Sequence, residues 1–514
     1  MTDLARTPAR ITAATIAEYI TAAKSARSRG LRLRLETVLA TLGGPPATGI
    51  GELLEGVGRA LAIGSPDRMW LALSVLSGEL PDQAAVRRSC RTVELDGPLA
   101  ALAAIVAAAD RLAPHERGRK WPRVEVVAGA VVVDLHHTAR ALFATGIQRV
   151  ARESAKRWQR DHDVVLVGWT PGYTALRRLS PSDIERALHG SETDDATSAD
   201  GGDILVPWQS TYVAPELPAE PWRVERFHTL VRYSGNQSSV IGFDCVPMTT
   251  AETAEEGMGA AFACYLSAVA QTDRVAAISE AVAVEFRGWR AMLKGAGFAG
   301  PEITPIPLPG GVPPLAEETL RTAREHLPVA GMPLVLVVGS HEPRKNHRAI
   351  LHAAELLWRE GLEFSMLFVG GNSWNSATFS TALHGLQALN RPVHALTALS
   401  DDLLWAAYRI ARCTVFTSLN EGFGLPVAES LASGTPVITS NFGSMREIAE
   451  PGGALLVDPR DDHDISRALK RLLTDDDLHA ALTRQAFARP QRTWDQYAAE
   501  AWDYLVCGIR PDRD

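Results

Sequence analysis

The chain has 514 residues and a formal net charge of -8, with 46% hydrophobic and 22% charged residues. This balance is typical of a folded globular protein, so wholesale disorder is excluded, and the length predicts about two to four domains. The acidic excess argues against a general nucleic-acid binder, which carries a basic excess.

The cysteines and the apolar runs predict where the protein resides. The chain has five cysteines, which are Cys90, Cys245, Cys264, Cys413 and Cys507. They form no CxxC pair and no zinc-like cluster, which predicts buried, reduced thiols. No apolar run reaches the roughly 20 residues that span a bilayer, and no signal peptide is visible. We therefore expect a cytoplasmic protein, and leave open homo-oligomerisation and a peripheral contact with the cytoplasmic side of a membrane.

Residues 1–122 are predicted to be a helical N-terminal region, because alanine and leucine are abundant and β-branched runs are short. Thr12 is placed to cap a first helix, whose apolar stripe contains Ala13, Ile16 and Ile20. The basic segment 24–34 is typical of a solvated helix face, and contact with anionic lipid or an acidic acceptor stays open. We expect this region to serve assembly or acceptor choice.

Residues 123–312 are predicted to form a first α/β domain. Strands are expected at 124–135, 164–169, 204–208, 239–244, 274–279 and 303–309, and helices at 147–160, 252–271 and 280–296. A polar, exposed loop is expected at 191–203. The alternation of strands and helices is typical of a doubly wound parallel sheet.

A second α/β domain is predicted over residues 313–490, because the pattern restarts after the linker PGGVPP at 309–314. Its strands are expected at 333–339, 364–371, 413–418, 436–440 and 453–459. Residues 491–514 are predicted to be a C-terminal helix that packs back on the first domain. Two such domains predict a ligand in the cleft between them, outside the carboxyl ends of the strands.

The most informative segment is SLNEGFGLPVAESLASGTPVI at 418–438, which is predicted to be a strand, a glycine loop and a helix. Gly422 and Gly424 allow the backbone to approach a ligand closely. The helix that begins near Pro426 directs unpaired N–H groups into the cleft, which favours an anion. Glu421 and Glu429 suit a ligand with several hydroxyls. The alternative is that both glutamates are simply exposed at a helix start.

The run NEGFGLPVAES resembles the E-x7-E signature of retaining glycosyltransferases of family 4, which have the GT-B fold. This fold has two Rossmann-like domains that face a cleft. The resemblance implies that Glu421 contacts the transferred sugar and that Glu429 binds the ribose of a nucleotide-sugar. It also implies a glycan, glycolipid or polysaccharide precursor as acceptor, and no cofactor beyond the nucleotide-sugar co-substrate.

The segment VVGSHEPRKNH at 337–347 places Arg344 and Lys345 at a helix start, where the helix dipole disfavours cations unless an anion is bound. Both side chains are good phosphate partners. The segment is similar to the phosphate-binding loop of the same family, in which an arginine commonly follows the strand's glycine and a lysine comes later. Lys345 matches the lysine, whereas Ser340 stands at the arginine position, so we expect Arg344 to supply that charge.

Two segments of the first domain are further candidates. Gly146, in ATGIQRVARE, resembles the glycine loop that approaches the donor diphosphate and the acceptor, and the alternative is an ordinary turn with solvated Gln148 and Arg149. Asp244, in VIGFDCVPM, resembles a family segment in which Phe243 stands where histidine is frequent. Asp244 is expected to contact donor or acceptor, unless it only caps a turn.

Paired histidines, His136 and His137, follow the first strand of this domain. A histidine pair suggests metal, but no third ligand has suitable spacing nearby, so a turn or cleft position is the favoured interpretation. We predict no metal site, because the charge of the leaving diphosphate can be stabilised by the basic residues of the second domain.

These features predict a retaining, metal-independent glycosyltransferase. The predicted catalytic residues are Glu421, Asp244 and Lys345. The predicted donor-binding residues are Gly146, Arg344, Lys345, Glu421, Gly422, Phe423, Gly424, Leu425 and Glu429. The alternative is a catalytically inactive GT-B protein that acts as an interaction module. Phe243 and Ser340 favour this alternative, and the two glutamates and Lys345 oppose it.

Overall fold

The fold was analysed in a computed structural model that describes residues 11–22, 25–112, 121–141, 145–190, 202–327, 331–397 and 399–508. Lys24 of the basic segment and most of the polar loop predicted at 191–203 lie outside the described residues. The helices are α1 (Ala13–Ala22), α2 (Ser25–Thr41), α3 (Ile50–Leu61), α4 (Pro66–Ser77), α5 (Gln83–Asp96), α6 (Pro98–Leu112), α7 (Gly146–Asp161), α8 (Pro181–His189), α9 (Pro221–Tyr233), α10 (Val246–Thr249), α11 (Met258–Val269), α12 (Glu280–Gly295), α13 (Glu317–His326), α14 (His347–Arg359), α15 (Ala377–Ala388), α16 (Asp401–Ile410), α17 (Leu425–Ala432), α18 (Gly443–Ala449), α19 (Asp462–Thr474), α20 (Asp476–Phe487) and α21 (Trp494–Trp502). The strands are β1 (Val124–Ala128), β2 (Val131–Asp134), β3 (Val164–Trp169), β4 (Leu176–Arg178), β5 (Ile204–Trp208), β6 (Thr211–Ala214), β7 (Gln237–Gly242), β8 (Arg274–Ala277), β9 (Glu302–Pro305), β10 (Leu334–Val338), β11 (Ser365–Val369), β12 (Val393–Leu396), β13 (Cys413–Phe416), β14 (Val437–Ser440) and β15 (Ala454–Val457).

The predicted helical N-terminal region is confirmed as helices α1–α6. The Thr12 hydroxyl accepts a hydrogen bond from the Thr15 amide at 3.3 Å at the start of α1, and Ile16 and Ile20 are buried on its inner face. The apolar residues of this region share one continuous core with the first sheet. Trp70 of α4 stacks on Trp208 of β5 with ring centroids 6.4 Å apart. The N-terminal helices therefore pack on the first sheet as one unit. The apolar surface that they bury together stabilises both.

The basic segment 24–34 contains a structural arginine. Arg34 is buried, and its guanidinium donates to the Leu76 and Pro122 carbonyls, at 2.8 Å in each case. It also lies 4.0 Å from the centre of the Trp121 ring. Because these partners satisfy the buried charge, the prediction of a solvated face is wrong for Arg34. Arg32 is exposed and pairs with Glu36 at 2.9 Å.

The first sheet has nine strands in the order β1-β5-β4-β3-β2-β6-β7-β8-β9. All neighbours are parallel except β4, which is antiparallel to β3 and β5. The single strand predicted over 124–135 is wrong, because it is two strands that lie apart in the sheet. Gly129 turns the chain with a φ of +67°, so that β1 pairs with β5 at the edge while β2 lies in the centre. Strands β4 and β6 are additional to those predicted.

The second sheet has six parallel strands in the order β12-β11-β10-β13-β14-β15. Numbered from β10, this is the 3-2-1-4-5-6 order of a Rossmann fold. Every predicted strand of this domain is present, and β12 is additional. Apolar residues of β10, β11 and β13 are buried from both faces, as expected for a parallel sheet covered by helices.

The C-terminal segment returns to the first sheet. The Trp158 indole on α7 donates to the Ala498 carbonyl on α21 at 2.8 Å. The Ser239 hydroxyl on β7 donates to the Leu505 carbonyl at 2.9 Å, within a π-helical turn over Asp503–Cys507. The chain thus crosses from the second sheet back to helix and strands of the first.

The exposure of the thiols differs from the prediction. Cys245 and Cys413 are buried, whereas Cys264 and Cys507 are exposed, so the expectation of burial is wrong for those two. Within the residues that the structure describes, no helix is both long enough and apolar enough to cross a bilayer.

Candidate active site

The candidate site lies where the second sheet reverses its strand order, between β10 and β13. Loops that leave the carboxyl ends of two such strands diverge and form a crevice in which ligands bind. The loop after β10 contains Arg344 and Lys345, and the loop after β13 contains Glu421. The Leu419 amide donates to the Arg344 carbonyl at 2.8 Å and joins the two loops. The topology therefore brings together charged residues that are distant in sequence.

Glu421 is the centre of this cluster. Lys345 Nζ lies 2.6 Å from Glu421 Oε1, and Arg344 Nη1 lies 2.6 Å from Glu421 Oε2. The Ser418 hydroxyl also donates to Oε1, at 2.7 Å. Arg344 continues to Glu342 at 2.6 Å. Two cations therefore converge on one carboxylate, and Arg344 brings the second charge that Ser340 does not supply.

The protonation states of the cluster follow from burial and pairing. Burial alone would raise the pKa of Glu421, but Arg344 and Lys345 lower this pKa to about 2. Burial alone would lower the pKa of Arg344, and the carboxylates of Glu421 and Glu342 raise it above its usual value. Burial raises the pKa of Glu342 and of Asp244, against the opposing effect of Arg344. Glu421 is therefore an anion at neutral pH beside the charged guanidinium of Arg344.

Asp244 reaches the same place from the first sheet. It follows the end of β7, and its Oδ1 accepts from the Val246 amide at 3.1 Å, so it does cap the turn. A Cβ atom built on Gly422 would lie 3.2 Å from Asp244 Cβ and 1.9 Å from the Phe243 carbonyl oxygen. Gly422 thus permits close approach of the two domains.

Further hydrogen bonds join the two domains around this point. The Ser279 hydroxyl donates to the Gly422 carbonyl at 2.7 Å, and the Asn420 amide group donates to Thr249 Oγ1 at 3.0 Å. The Trp374 indole donates to the Thr253 carbonyl at 3.1 Å. The carboxylate of Glu447 accepts from the amides of Glu280 and Ala281, each at 3.0 Å, at the start of α12. The cleft is therefore closed by specific contacts from both domains.

The helix after the glycine loop, α17, begins at Leu425 without a side-chain cap. Gly424 precedes it with a φ of +101°, a left-handed conformation that favours glycine. Gly146, at the start of α7, faces Leu425, because a Cβ on Gly146 would lie 3.9 Å from a Leu425 methyl carbon. Phe423 is buried in the core. Two helix starts from different domains thus meet beside the charged cluster.

Glu429 lies in the second turn of α17, and its partners come from both domains. Its Oε1 contacts Arg149 of α7, and its Oε2 accepts from the Tyr408 hydroxyl at 2.9 Å. Its side chain is 6% exposed and that of Glu421 is 10% exposed, so the interpretation of both as exposed residues at a helix start is wrong. Arg149 is correspondingly not a solvated turn residue. Sequence reasoning missed Tyr408 altogether, since a tyrosine on an amphipathic helix has no distinguishing signal.

The first sheet also reverses its strand order, between β2 and β6, and a second charged cluster lies there. The buried Arg223 guanidinium lies 2.9 Å from Asp134, 3.7 Å from Glu216 and 3.6 Å from Glu220. His137 Nε2 lies 2.5 Å from Glu220, and the His137 amide donates to Glu216 at 2.8 Å. The two histidines are therefore turn residues in a polar network. Glu216 and Glu220 were not predicted as their neighbours, because Glu216 lies 79 residues beyond His137 in the sequence.

His136 predicts a dependence of stability on pH. It is buried, its Nδ1 accepts from the Trp169 amide at 2.9 Å, and burial together with Arg223 lowers its pKa to about 3. The unfolded chain takes up this proton below about pH 6.5, so stability falls as the pH drops from about 6.5 towards 3. Between pH 7 and pH 5, the free energy of unfolding measured with urea should fall by about 1–2 kcal/mol less in His136→Asn than in the parent protein. The exposed His384→Asn serves as control, and equal losses in all three proteins would contradict the assignment.

No group of three or more His, Cys, Asp or Glu side chains suitable for a metal ion is found among the residues that the structure describes. The charged groups that face the cleft are instead the cations Arg344 and Lys345 with their carboxylates. This arrangement can bind and polarise an anionic ligand through charge-assisted hydrogen bonds.

Comparison with known proteins gives matches to both domains. Residues 321–489 match the family model described as "Glycosyl transferases group 1". The chain is 29% identical over 339 residues to the serotype-specific mannosyltransferase WbdA of Escherichia coli, which covers 62% of this chain and 40% of that protein. It is 31% identical over 184 residues to the O-antigen chain mannosyltransferase B of Escherichia coli, which covers 34% of this chain and 48% of that protein. The chain therefore spans less than half the length of these relatives.

The fold is shared with solved structures. The crystal structure of WaaG, a glycosyltransferase involved in lipopolysaccharide biosynthesis, superposes with a TM-score of 0.50 at 14% identity. The superposition covers 74% of this chain and 100% of that one. The predicted GT-B architecture, with two Rossmann-like domains after a helical region, is confirmed.

Proposed function

We propose that this chain transfers a sugar from a nucleotide-sugar to a hydroxyl group of a glycan, glycolipid or polysaccharide precursor, since residues 321–489 match the family model of the group 1 glycosyltransferases. The transfer retains the configuration of the sugar and needs no metal ion. The observation that carries the proposal is the convergence of Arg344 and Lys345 on Glu421 at the strand-order reversal of the second sheet. Two relatives are mannosyltransferases by name, so a mannosyl nucleotide is the first donor to test.

The donor diphosphate fits the basic side of the cluster. Lys345 has three N–H donors and Arg344 has five, so both keep donors free for phosphate while they hold Glu421. The uncapped start of α17 adds backbone N–H groups and a partial positive charge beside them. These groups would stabilise the negative charge that develops on the diphosphate as the bond to the sugar breaks, which is why no metal is needed.

The sugar and the ribose are assigned to the two glutamates. Glu421 is ionised and partly accessible, so its carboxylate can accept hydrogen bonds from sugar hydroxyls. Glu429, in the second turn of α17, is assigned to the ribose. Asp244 reaches the sugar side from the first domain, within contact distance of the Glu421 loop. We assign Asp244 to the orientation of the donor or acceptor hydroxyl.

The acceptor is assigned to the strand-order reversal of the first sheet. Ligands of such sheets bind at this position, and here His137 and Glu220 are partly exposed above the buried Arg223. Strands β2 and β7 are two positions apart, which places the end of β2 about 10 Å from the end of β7 and Asp244. That span suits a sugar whose hydroxyl reaches the donor. In the transfer, the acceptor oxygen bonds to the sugar, the bond to the diphosphate breaks, and the acceptor proton passes to the diphosphate.

Activity is tested by transfer from GDP-mannose, UDP-glucose and related donors to glycan acceptors, with EDTA present. We expect turnover in EDTA. A loss of turnover in EDTA that Mg²⁺ restores would overturn the metal-free assignment.

Lys345→Ala should weaken binding of the matching nucleoside diphosphate by about 1.5–3 kcal/mol, the range for a charged hydrogen bond. Lys294→Ala, on the exposed surface of α12, is the matched control. Nucleotide binding without any turnover would favour the inactive GT-B alternative.

A further inference from the structure

The contact between Arg149 and Glu429 joins the two domains at the residue assigned to the ribose. Arg149 lies in the first turns of α7, and its guanidinium contacts Glu429 Oε1. Tyr408 holds Oε2 at 2.9 Å, so both oxygens of the carboxylate have side-chain partners. The guanidinium carbon lies 5.9 Å from the ring centres of both Trp405 and Trp494. Arg149 is therefore held among aromatic rings with its charge directed at Glu429.

The Arg149–Glu429 pair differs from an ordinary structural ion pair because Arg149 occupies an oxygen of a carboxylate that is assigned to a ligand. Glu429 is 6% exposed, and one of its two oxygens is taken by a residue of the opposite domain. A buried carboxylate needs a partner, and Arg149 provides it in this structure. Ribose hydroxyls can provide the same partnership, because they donate hydrogen bonds to a carboxylate. The same oxygen thus has two alternative partners.

We propose that Arg149 is a positioning residue that competes with the donor ribose for Glu429. In the nucleotide-free protein it keeps the carboxylate paired and oriented, and the bound ribose takes its place. The inference rests on the proposed function. Nucleotide binding must break the contact between Arg149 and Glu429, which costs free energy. The apparent affinity is therefore lower than it would be if Glu429 were not paired with Arg149.

The change in nucleotide affinity expected on removal of Arg149 is opposite to the change that electrostatics alone would give. Removal of a positive charge beside the cleft should by itself weaken the binding of any diphosphate. Removal of a competitor for Glu429 should instead tighten ligands that contain a ribose and leave others unchanged. Pyrophosphate carries the charge of the ligand without the ribose, so it separates these two effects.

The experiment is calorimetric titration of the parent protein and Arg149→Gln with UDP, GDP and pyrophosphate. For whichever nucleotide the parent binds, we expect Arg149→Gln to bind about tenfold more tightly, as the loss of one charged contact implies. Pyrophosphate affinity should stay within about twofold. Arg157→Gln, on the same helix but paired with Glu153 and Asp495, is the control for charge and should match the parent protein.

A double variant tests whether the effect passes through Glu429. In the Glu429→Gln background, Arg149→Gln should give no further tightening, because the contested carboxylate is gone. If Arg149→Gln does not fold, Arg149→Lys keeps the charge, loses the planar fork, and should tighten nucleotide binding by a smaller factor.

The outcomes separate the two claims. If the parent binds and turns over a nucleotide-sugar but Arg149→Gln binds the nucleoside diphosphate no more tightly, the competition is wrong and the proposed function stands. Equal tightening of pyrophosphate also overturns the competition. If neither the parent nor any variant binds a nucleoside diphosphate, the proposed function itself is wrong and the inference is withdrawn with it.

Discussion

Glu421→Gln is expected to lower kcat with the full nucleotide-sugar by about a hundredfold or more, the range for loss of one polar contact to the reacting groups. The reason is that Glu421 is ionised, with a pKa of about 2, and is assigned to the sugar hydroxyls. The affinity for the free nucleoside diphosphate should not fall. Removal of the carboxylate leaves Arg344 and Lys345, which contact Glu421 at 2.6 Å, with more charge for the diphosphate.

Glu429→Gln is the matched comparison for this prediction. It should weaken the free nucleoside diphosphate and the full donor alike, because both contain the ribose. Glutamine keeps the side-chain volume, so large packing effects are not expected in either variant. The measurement is the ratio of the two ligand affinities in each variant, together with kcat. Equal losses of both ligands in both variants would mean that the glutamates act only through general electrostatics, and the assignment of roles would be withdrawn.

Gly422→Ala is expected to lower kcat/KM by about a hundredfold, although it adds a single methyl group. The added Cβ would lie 1.9 Å from the Phe243 carbonyl oxygen and 3.0 Å from its carbonyl carbon. Both are backbone atoms of the opposite domain, so the glycine loop or the end of β7 must move. Displacement of catalytic groups by about 1 Å costs about a hundredfold in rate. Unfolding free energy should also fall, by about 1–3 kcal/mol, as for other overpacked sites.

The control for this variant is Gly371→Ala. Gly371 lies in the loop after β11, at the same edge of the second sheet, and a Cβ there would meet no atom within 4 Å. It should keep near-parental activity and stability. If Gly422→Ala is as active as Gly371→Ala, the two domains do not approach each other at Gly422 in the working enzyme.

Local sequence patterns predicted most elements of the second domain for a physical reason. Its strands are continuous apolar runs such as β10 and β11, which are buried on both faces and need no distant partner to be recognised. The same reasoning was wrong at 124–135, where both halves of the run are β-branched. Gly129 turns the chain there, and only the pairing of β1 with β5 separates it from β2. Strand β4 has only three residues, which are too few for a pattern.

The site divides in a similar way. The sequence by itself pointed to the glycine loop with the two glutamates and to the basic pair as candidates, because each of these two motifs lies within a single strand, loop and helix. Only the tertiary structure showed that Arg344 and Lys345 bind Glu421, since two loops 76 residues apart meet where the strand order reverses. It alone decided that Gly422 faces Phe243 and that Arg149 reaches Glu429. These contacts cross between domains, and no periodicity or local spacing encodes which surfaces two folded domains present to each other.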